Sequence, residues 1–467
     1  MSSAPEHLAA PVGDRDEPTA GEGILRRQAQ RESAARTYAR SLPVVPVRAR
    51  GMTVEGADGR RYLDCLSGAG TLALGHNHPV VLEAIRGVLD SGAPLHVLDL
   101  ATPVKDAFTT ALFETLPSAL AEHGRIQFCG PAGTDAVEAA IKLTRTATGR
   151  GGLLAFSGAY HGMTAAALAA TGDTAARAAL HGAEAQVTRL PFPYDYRCPF
   201  GIGGERGAEL AARWTAHLLD DPKGGVQPPA GMLLEAVQGE GGVIPAPDGW
   251  LRRMRTITAD RDIPLIVDEV QTGVGRTGTF WAVERSGIVP DVMVLSKAIG
   301  GSLPLAVIVY REELDGWLPG AHAGTFRGNQ LAMAAGAATL RFVRGNALHE
   351  RAETIGSRML GLLRGLAAHH PCIGDVRGRG LMIGVEMVDA GAEADDHGAL
   401  PAAPHLAARV QREALHRGLI VELGGRYGSV VRLLPPLTIT DEQAEAVLER
   451  LAAAIEAADA AAPGAAA

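Results

Sequence analysis

The sequence predicts an α/β protein organised around a mainly parallel β-sheet. Through the middle of the 467-residue chain, short apolar runs alternate with segments of helical periodicity. Runs that are apolar throughout are typical of strands buried on both faces, as in parallel sheets covered by helices. The predicted strands are Arg125–Cys129, Leu153–Phe156, Met232–Val237, Leu265–Val270, Val292–Leu295 and Leu305–Tyr310.

The helical segments support the same fold. Asp135–Thr148 follows the first predicted strand and carries an apolar stripe on one face. After Ala347, helical patterns mix with shorter strands such as Leu381–Val388, which indicates a smaller α+β domain. The stripe of the first helix consists of Ala136, Val137, Ala140 and Ile141.

Composition and charge narrow the classes of function. Apolar residues make up 46% of the chain and charged residues 21%, which excludes wholesale disorder. The net charge is −8, so neither nucleic acid nor an anionic membrane is expected as a partner. We expect no membrane span and no secretion signal. The 4 cysteines form no CxxC pair, as expected of reduced thiols in the cytoplasm.

The first candidate for chemistry is the turn Gly130–Asp135, between a predicted strand and a predicted helix. In parallel sheets, ligands bind beyond the carboxyl ends of the strands. Free N–H groups and the helix dipole at such a turn suit a phosphate group. The same residues are also compatible with a plain strand-to-helix turn capped by Thr134 or Asp135.

Two ionisable residues follow other predicted strands in the same way. Asp268 ends the apolar run of LIVDEVQTGVGRTG, where a carboxylate needs a partner such as a protonated ring nitrogen. Lys297 follows the strand in DVMVLSKAIGG, where a desolvated amine can act as a nucleophile. Each residue alone has a structural alternative: a salt bridge or loop cap for Asp268, and a surface lysine for Lys297.

Together, the three features match the anchors that pyridoxal 5′-phosphate (PLP) requires. A phosphate turn, an aspartate and a lysine can hold its phosphate, its ring nitrogen and its aldehyde. The aspartate keeps the ring nitrogen protonated, which strengthens the cofactor as an electron sink. The lysine forms the Schiff base and, after substrate displaces it, shuttles a proton.

Six ordered segments resemble the class III (omega) aminotransferases of fold type I. They are FCGPAGTDAVEAAIK, GAYHGMT, EAVQGEGG, LIVDEVQTGVGRTG, VLSKAIGG and TFRGNQLAMAA, and the resemblance extends from about Ile24 to Glu456. The segments ILRRQAQRESAARTYARSLP, YLDCLSGAGTLALGHNHP and PYDYRCPFG are similar to the diaminobutyrate–2-oxoglutarate aminotransferases within this class. Those enzymes interconvert 2,4-diaminobutyrate and 2-oxoglutarate with aspartate 4-semialdehyde and glutamate.

The resemblance implies a large PLP-binding domain that contains the mainly parallel sheet, and a small α+β domain built from both chain ends. The implied segments are a mobile tail (1–22), the first part of the small domain (23–84), the large domain (85–335), the second part of the small domain (336–458) and a terminal tail (459–467).

The resemblance also assigns cofactor contacts. Gly133 and Thr134 bind the phosphate, and Tyr160 stacks on the pyridine ring. Gln271 hydrogen-bonds the ring 3′-oxygen, while the aspartate and lysine described above keep the roles of ring-nitrogen partner and Schiff-base amine. Thr325, in GTFRGN, matches the threonine that reaches the phosphate from a neighbouring subunit, which implies a homodimer with the active site at the interface.

Substrate handling is assigned to a second group of residues. Arg432, in VVRLLPPLTIT, matches the family arginine that binds the α-carboxylate of the substrate glutamate. Glu240 matches the glutamate side chain that pairs with this arginine when the other substrate is present. From the residues alone, an arginine beside a Pro-Pro turn is typical of the surface. Ala69 stands where ornithine-type relatives carry tyrosine, which disfavours ornithine, and Tyr38 is a candidate for a compensating substrate contact.

Several alternatives remain open at this stage. Another omega-aminotransferase (for 4-aminobutyrate, ornithine or acetylornithine) has the same cofactor anchors, as has a PLP-dependent amino mutase or racemase. A non-catalytic ligand-binding protein on this scaffold has no need to keep all three anchors. The pair His76 and His78 has no third ligand at a suitable spacing, so we expect it to be structural and expect no metal site.

Overall fold

The computed structural model describes residues 20–178 and 186–460. Within these ranges the strands are β1 (Pro46–Arg50), β2 (Thr53–Gly56), β3 (Arg61–Asp64), β4 (Gly124–Phe128), β5 (Leu153–Phe156), β6 (Val187–Leu190), β7 (Gly231–Glu235), β8 (Val237–Gln238), β9 (Ile244–Pro245), β10 (Leu265–Asp268), β11 (Val292–Leu295), β12 (Val307–Arg311), β13 (Ile373–Arg379), β14 (Met382–Met387), β15 (Leu419–Ile420), β16 (Glu422–Gly424) and β17 (Val430–Leu433).

The α-helices surround these strands on both sides. They are α1 (Ala20–Arg31), α2 (Tyr38–Ser41), α3 (Pro79–Asp90), α4 (Pro103–Phe113), α5 (Ser118–His123), α6 (Gly133–Thr148), α7 (Ala165–Ala170), α8 (Thr174–Arg177), α9 (Gly204–Asp220), α10 (Asp248–Ala259), α11 (Gln330–Gly345), α12 (Leu348–Ala367), α13 (Pro404–His416) and α14 (Asp441–Ala460). Among the described residues, no helix is both long enough and apolar enough to cross a membrane.

The central layer is a seven-stranded sheet with the strand order β4-β12-β11-β10-β7-β5-β6. Neighbours from β11 to β6 are parallel, whereas β12 is antiparallel to both β11 and β4. This confirms the predicted α/β fold with a mainly parallel sheet. The bounds of β5 and β11 are those predicted, but the predicted strand 232–237 is divided between β7 and β8, and β6 was not predicted.

The two ends of the chain meet in a smaller sheet with the order β1-β2-β3-β15. In it, β3 pairs in parallel with β15, so Leu63 lies beside Leu419. A separate antiparallel sheet, β13-β14-β17-β16, carries the C-terminal strands. These pairings explain why short strands occur after residue 347, where the sequence indicated a mixed α+β segment.

The domain boundaries stay a prediction. The boundary after residue 84 falls inside α3, and the boundary after residue 335 falls inside α11. Residues 20–22, expected in the N-terminal mobile tail, belong to α1, and residues 459–460 belong to α14. The remainder of both expected tails lies outside the described residues. Residues 389–401 contain turns and bends but neither helix nor strand.

Helix α6 shows how the sequence positions the site. The four stripe residues named above are buried against the central sheet, as predicted. The helix begins two residues earlier than predicted, at Gly133, directly after the turn that follows β4. It ends at Gly149, whose φ of 67° is the left-handed conformation that glycine adopts without strain. The N-terminus of a 16-residue helix therefore points to the carboxyl edge of the sheet.

Helix α11 packs unusually closely against the turn that follows β11. A Cβ atom on the buried residue Gly336 would lie 2.0 Å from the carbonyl oxygen of Ile299 and 3.0 Å from the Phe108 ring. No side chain fits there without a shift of backbone. Gly336 thus allows the helix to support the segment that begins at Lys297.

We predict that Gly336→Ala destabilises the protein by about 1–3 kcal/mol through this overlap. Thermal unfolding of the purified protein measures the change. Gly345→Ala is the matched control, because Gly345 is in the same helix and has no atom within 4 Å of the added Cβ. Equal melting temperatures for the two variants would contradict the packing argument.

Candidate active site

A cavity of about 280 Å³ opens at the carboxyl ends of the central strands. We refer to it as the inner cavity. It brings together side chains that are far apart in the sequence and that the sequence analysis selected separately. The selected residues that line it are Gly133, Thr134, Tyr160, Glu240, Asp268, Gln271 and Lys297.

Lys297 lies two residues beyond the end of β11. Its backbone φ is 51°, a left-handed conformation that is strained for a residue with a side chain. The adjacent Ser296 hydroxyl donates to the Leu305 carbonyl oxygen at 2.8 Å and holds the turn. Burial lowers the pKa of the Lys297 amine, although Glu240 opposes the shift. A buried amine with a lowered pKa has the properties of a nucleophile.

Asp268 is the last residue of β10 and is almost fully buried. Its Oδ2 atom lies 2.8 Å from Nδ1 of His161, and its Oδ1 atom accepts from the Val270 amide at 3.0 Å. Burial lowers the pKa of His161, but the hydrogen bond to Asp268 and the charges of Asp268 and Glu235 together outweigh burial, and the net shift is upward. With Nδ1 protonated, His161 donates a hydrogen bond to this carboxylate and fixes its orientation.

Glu235 occupies the same position at the end of β7. Its carboxylate accepts from the backbone amides of Tyr160 at 3.0 Å and Gly239 at 2.9 Å. Burial raises its pKa to about 7, with His161 acting in the opposite direction. By bonding to the Tyr160 amide, Glu235 fixes the backbone that carries this aromatic ring into the inner cavity.

The N-terminus of α6 borders the inner cavity through Gly133 and Thr134. Thr134 and Thr164 share a hydrogen bond of 2.5 Å between their hydroxyl groups. Gly162, with a φ of 125°, allows this approach, because a Cβ there would lie 2.3 Å from the Thr134 hydroxyl. The N-terminal amides of α6 and the Thr134 hydroxyl thus face the inner cavity as potential donors to an anion.

Arg432 is at the centre of a buried ionic network. The surface position that its sequence context favoured is wrong: it lies on β17 and is fully buried. Its Nη1 atom lies 2.7 Å from Oε1 of Glu240 and 3.3 Å from Oε2 of Glu422, and its Nη2 donates to Oε1 of Gln271 at 2.9 Å. Burial lowers the pKa of Arg432, but the two carboxylates outweigh burial and raise it.

Tyr38 joins this network through Glu422, a residue the sequence analysis missed. The Tyr38 hydroxyl donates to Oε1 of Glu422 at 2.9 Å. Burial raises the pKa of Glu422, with Arg432 opposing the shift. Asp268 was identified as an ionisable residue at the end of an apolar run. Glu422 shows the same pattern, because it is the first polar residue after the apolar run Leu419–Val421. Glu235 carried the same signal at the end of its own strand.

A larger cavity of about 1000 Å³ lies outside the inner one. We refer to it as the outer cavity. The two cavities share Tyr160, Met163, Glu240 and Lys297 as lining residues, so they form one continuous space. The outer cavity is also lined by Tyr38, Ala69, Glu422 and Arg426.

Gln271 and Ala69 connect the cofactor end of the site with the substrate end. The Gln271 amide nitrogen donates to the Ala69 carbonyl oxygen at 3.1 Å. A carboxamide carries two donor hydrogens, and the Gln271 side chain also hydrogen-bonds Glu240. The predicted contact of Gln271 with a ring oxygen stays a prediction.

Thr325 lies elsewhere. It is exposed in a turn, outside the lining of both cavities. Its predicted phosphate contact therefore requires a second copy of the chain and stays a prediction. His76 and His78 are also separate from the site: His76 lies 2.8 Å from Asp64, and the His78 ring packs against Phe342 at 4.8 Å between ring centroids.

The residues present fit a phosphorylated pyridine aldehyde. The inner cavity has anion-binding amides at one end and a buried carboxylate bonded by His161 at another. It also holds a buried amine of lowered pKa and an aromatic side chain at its wall. Each group matches one part of the predicted cofactor: phosphate, ring nitrogen, aldehyde and ring face.

Comparison with known proteins identifies the family. The family model for class-III aminotransferases matches residues 34–455. The chain therefore belongs to the class-III aminotransferases, which confirms the predicted family, enzyme class and fold type.

Individual relatives are similar over nearly their whole length. A diaminobutyrate–2-oxoglutarate aminotransferase from Rhizobium meliloti is 57% identical over 432 residues, covering 92% of each chain. One from Haemophilus influenzae is 49% identical over 427 residues, covering 91% of this chain and 93% of that one. An amine transaminase from an uncultivated Pseudomonas species, solved in a PLP-bound form, has a TM-score of 0.81 and 27% identity, covering 92% of this chain and 98% of that one.

A prediction concerns Glu269, which follows Asp268 and anchors the segment after β10. Its carboxylate accepts from the Val283 amide at 3.0 Å and from the Thr272 hydroxyl. Burial raises its pKa to about 7. The folded protein thus holds this proton more tightly than the unfolded chain does. Protonation of Glu269 therefore adds to the free energy of unfolding at low pH, and this contribution is lost as the pH rises towards 7.

Glutamine carries no titrating proton. In Glu269→Gln, the decrease of the free energy of unfolding between about pH 5 and about pH 7 is therefore expected to be less steep, by up to ~1.4 kcal/mol per pH unit. Chemical denaturation at several pH values measures the slope. The exposed Glu456→Gln is the control. A slope as steep in Glu269→Gln as in the unchanged protein would show that this carboxyl group titrates normally.

Proposed function

We propose that the protein transfers the terminal amino group between L-2,4-diaminobutyrate and 2-oxoglutarate, giving aspartate 4-semialdehyde and glutamate. The biosynthetic direction is the reverse, from aspartate 4-semialdehyde to diaminobutyrate. The cofactor is PLP. Support comes from the names and high identity of the two diaminobutyrate–2-oxoglutarate relatives and from the PLP-bound structural neighbour.

The observation that carries the proposal is the pairing of Arg432 with Glu240 beside Lys297. One pocket must accept glutamate by its α-amine and diaminobutyrate by its terminal amine. An uncovered arginine would attract the carboxylate of diaminobutyrate and present the wrong amine. With Glu240 in place, the guanidinium is neutralised, and when Glu240 withdraws it can bind the α-carboxylate of glutamate bidentately.

The residues of the inner cavity divide the remaining work. PLP, when bound, supplies an electron sink for the electrons released at the reacting carbon. Gly133 and Thr134 hold the phosphate, and Tyr160 covers the ring. Asp268, oriented by His161, keeps the ring nitrogen protonated. Lys297 holds the aldehyde in the resting enzyme and, once released, moves a proton on and off the reacting carbon.

The assembly is part of the proposal. We place Thr325 against the phosphate of a neighbouring subunit, which makes the functional unit a homodimer. Its exposure in the single chain supports this position, since it reaches neither cavity of its own chain. We also propose a cytoplasmic location, which the free thiols of the four cysteines support.

Another omega-aminotransferase specificity is the second candidate, and a PLP-dependent mutase or racemase the third. The shared cofactor anchors leave these reactions open, but Ala69 in the wall of the outer cavity disfavours ornithine. A mutase has no external oxo acid to bind and gains little from the pairing of Arg432 with Glu240.

The decisive experiment is a half-reaction without oxo acid. Diaminobutyrate is expected to bleach the visible band of the lysine-bound cofactor and to release aspartate 4-semialdehyde, faster than ornithine or 4-aminobutyrate does. Lys297→Ala is expected to lose the band and at least roughly 10²–10⁴-fold of the turnover. Lys223→Ala, at an exposed lysine, is the control and keeps both. Faster bleaching by another amine would move the assignment to that amine.

A second prediction tests the switch. Glu240→Gln is expected to slow the diaminobutyrate half-reaction by roughly 10- to 100-fold, because Arg432 loses its nearest carboxylate, and to leave the glutamate half-reaction within a few-fold. Stopped-flow absorbance with each substrate separates the two effects. Glu456→Gln serves again as the control. Equal losses in both half-reactions would count against a role in switching.

A further inference from the structure

Glu422 lines the outer cavity, and one of its two carboxylate oxygens has no hydrogen-bond partner among the described residues. Its side chain is 6% exposed. One oxygen, Oε1, accepts from the Tyr38 hydroxyl, whereas Oε2 has no hydrogen-bond partner among the described residues and lies 3.3 Å from Arg432. A carboxylate has about four acceptor sites, so this group retains capacity for a further donor.

The charges around Glu422 favour a cation. Two carboxylates, Glu240 and Glu422, face the single guanidinium of Arg432. The neighbouring amine of Lys297 is desolvated and is occupied by the cofactor in the resting enzyme. Around Arg432 the carboxylates therefore outnumber the guanidinium group by one, and a buried carboxylate without a full partner is costly unless a cation pairs with it.

We propose that Glu422 binds the α-ammonium group of the diamino substrate and thereby selects a diamino acid over a monoamine of the same length. This inference rests on the proposed function. The α-ammonium is the group that distinguishes 2,4-diaminobutyrate from 4-aminobutyrate, since the two molecules have the same carbon chain, terminal amine and carboxylate. Tyr38 orients the receiving carboxylate through its hydrogen bond.

Arg426 supplies the opposite charge in the same wall. It lies two residues beyond β16 and lines the outer cavity, where its guanidinium donates to the Ser157 carbonyl oxygen at 3.3 Å. The α-carbon of diaminobutyrate carries both an ammonium and a carboxylate, so a cation and an anion on one short segment match it. The carboxylate is common to both amines, and the contact with Glu422 is the one that separates them.

The test compares half-reactions of the PLP-loaded Glu422→Gln variant with diaminobutyrate, 4-aminobutyrate and glutamate. The ratio of kcat/KM for diaminobutyrate to kcat/KM for 4-aminobutyrate is expected to fall by roughly 10- to 100-fold, as for loss of a charged hydrogen bond. The glutamate half-reaction is expected to stay within a few-fold or to accelerate. An unchanged ratio, or equal losses for all three substrates, would overturn the role of Glu422.

Two further measurements complete the test. Glu422→Asp retains the charge on a shorter side chain and is expected to recover part of the preference lost in Glu422→Gln; no recovery would count against a charged contact. If Glu422→Gln does not fold, Glu422→Asp decides, since its shorter side chain must lower the preference for diaminobutyrate over 4-aminobutyrate; an unchanged preference in Glu422→Asp would overturn the proposal. A protein that leaves diaminobutyrate unreacted contradicts the proposed function, whereas one that reacts and keeps its preference in Glu422→Gln contradicts this inference alone.

Discussion

The buried guanidinium of Arg432 is the constraint on which the arrangement of the site depends. A fully buried arginine must keep its partners, because removing one partner of a buried ion pair lowers the stability of the fold by about 3–5 kcal/mol. Those partners come from three separate segments: Glu240 after β8, Gln271 after β10 and Glu422 on β16. The C-terminal antiparallel sheet must therefore dock against the central sheet in one position, and the same contacts that satisfy the charge shape the outer cavity.

The central sheet supplies the other half of the site through its register. Adjacent parallel strands place Asp268 beside Glu235, and Lys297 follows the next strand in the order. In each case an apolar strand ends at or just before the ionisable residue, so these side chains emerge at one edge of an otherwise apolar layer. Burial at that edge alters their chemistry, since it lowers the pKa of the lysine and raises that of Glu235.

This edge could be predicted from the sequence because strand ends are local features. The apolar runs fixed the position of Asp268 and Lys297 without knowledge of any partner. Arg432 could not be placed in the same way. Its burial depends on Glu240, 192 residues away in the chain, and on the pairing of its strand with that of Glu422. Of the sheet that holds both strands, the sequence predicted only the strand Leu381–Val388. Edge strand β6 was missed for a related reason, since its first three residues are only partly buried and carry no continuous apolar run.

The unequal exposure of the two carboxylates on Arg432 suits a pocket that serves two substrates. The Glu240 side chain is 34% exposed, whereas that of Glu422 is 6% exposed and bonded to Tyr38. In the proposed switch, the more exposed carboxylate of Glu240 withdraws, and the α-carboxylate of glutamate takes its place on the guanidinium with no change in net charge. The buried carboxylate of Glu422 is bonded to Tyr38, so we expect it to keep its position in both half-reactions. In this proposal, one exchangeable and one fixed anion let a single arginine bind a dicarboxylate without attracting the carboxylate of a diamino acid.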